Sequence, residues 1–284
     1  LKNILIFLKK ALNKHKIINK RVCFNKGKFQ NGTTHLFGKS EQLKRKNKMK
    51  YIASLSGGKD SIAMILKLIK EKKQLDEVIF FDTLWEFNSI YKNIEKIRIL
   101  CNKNDIKFTI IKHEIDSWYQ MFANPVNTRN REAKFGFGWC GGLCRWNTAN
   151  KRDCITRYLK TNYPEGYKEY VGIAFDEPSR IKDKLYPLVK WQMTEKDCLQ
   201  YCYNNDYNWL EDGIELYSIL DRVSCWCCRN KNLSELRLIY IKLPRYWNKL
   251  KGLQSRIKEP FKESGSIFEL EERFIKENEQ GKLF

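Results

Sequence analysis

Histidine is scarce: the 284 residues hold three, and only His113 lies beyond residue 49. A histidine-based triad or a multi-histidine metal site therefore has little to draw on. No apolar run approaches the roughly 18 residues that a membrane span needs. The nearest, Ile4 to Leu8, is short, and its lysines mostly follow it, the reverse of a secretory signal. Acids are almost missing from residues 1–48, where Glu41 stands alone against fourteen Lys and Arg, a balance of +13 out of +21 for the chain. These absences predict a soluble, cytoplasmic protein without a membrane partner.

The basic segment 1–48 begins with Leu1, and Met49 opens directly onto the first convincing strand. It is read as an extension outside the fold; the alternative is a basic arm for RNA or DNA. With 42% hydrophobic and 31% charged residues, the chain can build a packed core.

From Met49 the pattern alternates between strand and helix. Strands are expected at Tyr51 to Leu55, Glu77 to Phe81, Lys107 to Ile111 and Lys168 to Ile173. Helices are expected at Ser61 to about Lys72 and at Ile90 to Cys101. This predicts an α/β fold, a three-layer parallel sheet with helices on both faces. After Trp191 the character changes. Thr194 to Asn204 opens with an N-cap and places Asp197 three residues on, in capping-box fashion. Further helical stretches are expected at Ile214–Leu220, Leu233–Ile241 and Trp247–Ile257. The division is thus a basic extension (1–48), a nucleotide-binding domain (49–192) and a helical C-terminal region (193–284).

Ser56-Gly57-Gly58-Lys59-Asp60-Ser61 lies between a strand and a helix. Two glycines let the backbone approach a ligand, and the helix N-terminus adds its positive dipole end. Ser56, Lys59 and Ser61 add donors and a charge, so the string suits a phosphate. It is not a Walker A loop, because Ala53 and Asp60 stand where that motif needs Gly and Ser or Thr. A carboxylate here would repel phosphate unless a cation intervened, which makes Asp60 a candidate Mg²⁺ ligand or loop-orienting group.

The six-residue loop resembles the pyrophosphate loop of the adenine nucleotide α-hydrolase-like (PP-loop) superfamily. Within it, the chain resembles the phosphoadenosine-phosphosulfate (PAPS) reductase family. Phe80-Phe81-Asp82-Thr83, with Glu86 following, is similar to the family's Asp-Thr-Gly strand end, with Leu84 in place of Gly. Gly172-Ile173-Ala174-Phe175-Asp176-Glu177-Pro178-Ser179-Arg180 is similar to its Gly-x-Arg-x-Asp-Glu-Ser-x-Arg segment, with Ala174 for Arg. Pro187-Leu188, Trp191 and Asp197 complete the match over residues 50–200. The resemblance implies an adenine nucleotide bound by Ser56, Gly57, Gly58, Lys59, Ser61, Asp82, Thr83, Gly172, Asp176 and Arg180, with Lys59, Asp60 and Ser61 acting on it.

The family's reductases carry a Cys-Gly-Leu-His nucleophile near the C-terminus, which the last residues here, Asn278 to Phe284, do not show. The Gly-Gly-Lys-Asp form of the loop is that of ATP-cleaving members. The expected chemistry is therefore α–β cleavage of ATP with Mg²⁺, adenylylation of a substrate and release of pyrophosphate. A sulfonucleotide (PAPS or adenylyl sulfate) reductase, with Cys227 as substitute nucleophile, is the first alternative. A nucleotide-responsive nucleic-acid-binding protein without turnover is the second.

Ten cysteines, in a chain without a signal peptide, point to metal or redox chemistry. Cys140-x₃-Cys144 and Cys225-x₂-Cys228 offer four thiolates for zinc or an iron–sulfur cluster, flanked by Trp139, Arg145, Trp146, Trp226 and Arg229. Superfamily sulfurtransferases acting on tRNA and DNA combine the loop with such cysteines, so sulfur transfer is the specific expectation. Cys154, Cys198 and Cys202 are expected in the core, and His113 at a surface or strand end. Eight bases between Arg237 and Lys262 meet one acid, Glu259, with Tyr240, Tyr246, Trp247 and Phe261 interleaved. That stretch is read as amphipathic helices with an aromatic core; tRNA or DNA binding through stacked bases is the competing reading.

Overall fold

The computed structural model describes residues 49–127, 133–142 and 144–279. The basic extension 1–48 lies outside the described residues, and these fall within one compact unit, Lys48–Phe284. Strands β1 (Lys50–Leu55), β2 (Glu77–Phe81) and β3 (Lys107–Ile111) alternate with helices α1 (Lys59–Lys70) and α2 (Asn88–Lys103). There follow α3 (Ser117–Phe122), an antiparallel pair β4 (Pro125–Asn127) and β5 (Ala133–Phe135), α4 (Thr148–Asn162) and β6 (Tyr167–Tyr170).

The four long strands pair in parallel in the order β3-β2-β1-β6. All five residues of β2 (Glu-Val-Ile-Phe-Phe) are buried, as expected of an inner strand covered on both faces. Side chains alternate between faces. Ala53, Leu55, Val78 and Phe80 join one core with Ile62 and Ile65 of α1 and Ile90 and Ile94 of α2. Ile52 and Ile79 meet Leu159 of α4 on the other face. Each such fully buried side chain is worth about 1.5–3 kcal/mol relative to exposure. The result is the expected three-layer α/β arrangement. β1 lies between β2 and β6, so chain connections depart to opposite sides beside its C-terminal end, where open α/β sheets bind ligands.

A short α5 (Pro187–Lys190) precedes the C-terminal region, which comprises α6 (Glu195–Tyr203), the pair β7 (Leu210–Glu211) and β8 (Ile214–Glu215), α7 (Leu233–Lys242), α8 (Pro244–Gln254) and α9 (Ile267–Glu279). The capping box at Thr194 and Asp197 is present. Helix α6 packs on α1 with Cys198 and Cys202 fully buried, whereas Cys154 on α4 is only half-buried. Two expectations need correction. Ile214–Leu220 is not a helix: Asp212 (φ +51°) and Gly213 (φ +82°) form a left-handed two-residue turn that folds 210–215 into a hairpin, followed by one 3₁₀ turn at Leu216–Ser218. The fourth strand ends at Tyr170 instead of Ile173.

In the basic stretch, Tyr246, Trp247 and Phe261 are buried, so these rings are closed to stacking on unpaired bases. Arg245 and Lys251 pair with Glu211 and Glu271. Among the described residues no helix is long and apolar enough to cross a membrane.

Candidate functional site

The loop from Ser56 to Gly58 leaves β1 at its C-terminal end and enters α1. Gly57 has φ +82°, and a Cβ there would lie 2.7 Å from Ile90 Cγ2, so both conformation and space require glycine. Gly58 is the N-cap of α1 and supplies no capping side chain; the first helical amide, Lys59 N, donates instead to Tyr217 Oη at 2.9 Å. Ser61 Oγ donates to Gly58 O (3.0 Å) and accepts from Ser56 N (3.2 Å), and the Ser56 hydroxyl lies 3.0 Å from that of Ser61. The two serines thus brace the loop. From the far side Gly172 presses on the same turn, where a Cβ would sit 2.8 Å from Ser61 N.

Lys59 is only 6% exposed. Its Nζ stands 3.2 Å from Asp60 Oδ1 and 3.4 Å from Glu195 Oε2. Burial pushes the Asp60 carboxyl above the usual range, with Lys59 opposing and Glu195 and Glu177 adding to the rise. Asp60 Oδ1 is buried without a hydrogen bond. Among the described residues, the one set of three His, Cys, Asp or Glu whose ligand atoms all lie within 4.8 Å of one another is Asp60, Glu177 and Glu195. In the sequence Glu177 sits inside the 172–180 motif, whereas no local pattern marks Glu195. Asp176 brings them together, because its Oδ1 accepts from Glu195 N at 3.0 Å and ties the start of α6 to the segment after β6.

At the end of β2, Asp82 accepts from Tyr91 Oη and Leu84 N, both at 2.9 Å, and faces Lys112 at 3.3 Å. Thr83 Oγ1 donates to Glu86 (2.9 Å) and accepts from Trp85 N (3.2 Å). Leu84 has φ +65°, the conformation the family's glycine would adopt freely. Arg180 donates to both oxygens of Glu177, which Arg222 also reaches. Burial raises that carboxyl, but the arginines outweigh it and hold it low.

The two cysteine pairs lie on loops that dock together. Gly142 N donates to Asn230 Oδ1 (2.8 Å), and Asn230 Nδ2 donates to Gly142 O (3.0 Å). Asn147 Nδ2 donates to Cys225 Sγ at 3.0 Å. The Cys144 thiol hydrogen-bonds Cys140, which lowers Cys140 and raises Cys144. Burial pushes up Cys225 and Cys227. No three of these thiols come within 4.8 Å of one another. The cysteine loops are fastened to the segment after β2: Trp226 N donates to Trp85 O (3.0 Å), and the Trp85 ring centroid lies 5.5 Å from Trp146 and 5.4 Å from Trp226. Glu86, raised by burial, and Lys151, lowered by burial, stand beside Cys225. His113 lies two residues beyond β3, with Nδ1 at Ile115 and Gln120.

Among curated proteins, an uncharacterized protein of Methanocaldococcus jannaschii is 22% identical over 234 residues, 79% of this chain and 45% of that protein. A tRNA(Ile)-lysidine synthase of Bacillus cereus is 22% identical over 169 residues, 55% of this chain and 34% of that one. The chain thus spans less than half the length of these curated relatives. Solved structures with similarity include a PAPS reductase from Candida auris in complex with phosphate (16% identity, TM-score 0.39, 66% of this chain and 87% of that one). Another is a U34-tRNA thiolase from Methanococcus maripaludis with its 4Fe–4S cluster (13% identity, TM-score 0.36, 74% and 72%). Residues 50–211 match the phosphoadenosine phosphosulfate reductase domain, and with more than half of its length matched the chain belongs to that family.

Proposed function

We propose that the chain binds ATP with Mg²⁺ at Ser56–Ser61 and cleaves it between the α and β phosphates, adenylylating a substrate for sulfur transfer. The observation that carries this reading is a glycine-rich helix N-terminus whose N-cap, Gly58, brings no side chain, with Lys59 set against the carboxylates of Asp60, Glu177 and Glu195. Amides and an ammonium attract phosphate, whereas three carboxylates repel it unless a divalent cation lies between. The donor set is all oxygen and suits a hard cation, and Asp60 Oδ1 is a buried atom such an ion would satisfy. When bound, Mg²⁺ would neutralise phosphate charge.

The chain's own groups do the remaining work. Loop amides and Lys59 Nζ take up charge as it grows on the departing pyrophosphate. Ser56 and Ser61 keep those amides aligned. Asp82 and Thr83 on one side and Gly172 on the other border the nucleotide, while Asp176 and Arg180 hold Glu195 and Glu177 in place. Reduction of a sulfonucleotide is disfavoured because Cys227, its candidate nucleophile, is 2% exposed and pushed up by burial, unlike a reactive thiol.

Cys140, Cys144, Cys225 and Cys228 are the candidate metal ligands. Zinc there would be a structural tie between the two loops, whereas an iron–sulfur cluster, whose cysteines bind separate irons, would supply a site for sulfur. The tRNA(Ile)-lysidine synthase relative favours tRNA as the acceptor. The test is product analysis with Mg²⁺, tRNA and sulfide as the sulfur nucleophile that displaces AMP, offering ATP or PAPS. Pyrophosphate and AMP from ATP are expected; sulfite from PAPS, or no turnover of either nucleotide, would overturn the reading.

A further inference from the structure

We infer that Tyr217 is a phosphate-binding residue of the nucleotide site, supplied by the segment beyond the matched family domain. The inference rests on the nucleotide reading above and deepens it. The family match ends at residue 211, and Tyr217 lies on the 3₁₀ turn that follows the 210–215 hairpin.

The Tyr217 hydroxyl accepts a hydrogen bond from Lys59 N at 2.9 Å. That amide opens α1 and has no partner within the helix. Gly58 makes the approach possible, since a Cβ there would already lie 3.3 Å from Tyr217 Oη. The phenol oxygen is therefore held at the phosphate loop in an acceptor role, which turns its own proton elsewhere. Among the described residues no acceptor takes that proton. Around it opens a cavity of about 510 Å³, lined in part by Lys59, Asp176, Glu195 and Tyr217. An anionic phosphate oxygen entering this space meets a free O–H beside the Lys59 ammonium, which lies 5.5 Å from the Tyr217 ring centroid.

The ring is fixed before any ligand arrives. It packs edge-on against Trp209 (centroids 4.8 Å apart, 86° between planes), and Trp209 Nε1 donates to Gly57 O at 2.9 Å. Glu215 accepts from Trp209 N and so closes the hairpin that the two rings flank. Burial pushes the phenol further above its usual range, so it remains a neutral donor across the physiological range. A preset donor to a charged oxygen loses little entropy on binding, unlike an exposed side chain.

The experiment uses the full chain with Mg²⁺ and compares wild type with Tyr217→Phe by calorimetric titration of ATP, inorganic pyrophosphate and adenosine. The variant is expected to bind ATP and pyrophosphate about ten- to a hundredfold more weakly, the loss of one hydrogen bond to a charged group. Adenosine binding and the thermal midpoint should stay near wild type. Unchanged pyrophosphate affinity overturns the inference, and tighter binding overturns it by making Tyr217 a plug on the Lys59 amide. A loss shared equally by adenosine, or a large fall in melting temperature, would reduce Tyr217 to a structural residue. If wild type binds neither ATP nor pyrophosphate, the nucleotide reading itself fails, an outcome distinct from failure of Tyr217 alone.

Discussion

Trp209 Nε1 donates to the carbonyl oxygen of Gly57 at 2.9 Å, across 152 residues of chain. A fully buried indole from the C-terminal region therefore holds the turn of the phosphate loop. Cys202 adds a second tie, its thiol donating to Lys59 O at 3.3 Å. The loop is shaped as much from outside as from its own glycines.

Trp209→Phe should test that coupling. It leaves Gly57 O without its partner and shrinks a buried side chain, so a loss of about 1–3 kcal/mol in unfolding free energy is expected. Pyrophosphate affinity should fall with it. Urea unfolding and titration check both; an unchanged midpoint with unchanged affinity would remove the indole from the site.

Lys59→Ala should reduce pyrophosphate release about 10²–10³-fold, the usual cost of deleting one group that stabilises developing negative charge. Its melting temperature should also fall at neutral pH, because the buried ammonium is the partner of the Asp60 and Glu195 carboxylates. Steady-state rates together with a thermal melt separate the two effects.

Leu84→Gly addresses the departure from the family's glycine. Leu84 is exposed and held at φ +65°, a conformation that costs an L-residue about 1–2 kcal/mol. Glycine relieves that cost while adding unfolded-state entropy, so a net gain of up to about 1 kcal/mol is expected. A fall in the melting temperature would show that the Leu84 side chain contributes more than its backbone costs.

Glu77 gives a pH prediction. It is fully buried on β2 and accepts from Thr109, Tyr158 and Tyr163, with Lys107 at 3.1 Å. Burial alone would raise it, but these donors outweigh burial and hold it below the ordinary 4.5. The folded state thus favours the ionised form. Its contribution is fully present above about pH 4.5 and is lost as pH falls through the lower folded value. Glu77→Gln should lower stability at pH 7 and flatten the acid limb of a stability–pH curve. An acid limb as steep as that of wild type would contradict this.

Much of this architecture is legible in the sequence, for local reasons. Gly57, Gly58 and Lys59 advertise a phosphate turn because strand, glycine pair and helix are contiguous, and β2 and β3 are apolar enough to read directly. Helix α4 escaped because Leu159 is its one deeply buried large apolar side chain, too sparse for a periodic signal. The 210–215 hairpin had a signal, the pair Asp212-Gly213, that was overridden by helical spacing. The carboxylate trio was not legible: Glu177 and Glu195 lie 18 residues apart, and they are brought together by Asp176 accepting from Glu195 N and by Phe175 N donating to Met193 O. Tyr217 is hidden for the same reason, since nothing local links it to Lys59.

The most direct measurement of the central claim is calorimetric titration of ATP into the full chain with Mg²⁺ and again with EDTA. The account predicts saturable binding with Mg²⁺, strong weakening in EDTA and loss in Lys59→Ala. Equal binding with and without Mg²⁺, or equal binding by Lys59→Ala, would contradict it, because ATP would then be held by something other than this loop and its carboxylates.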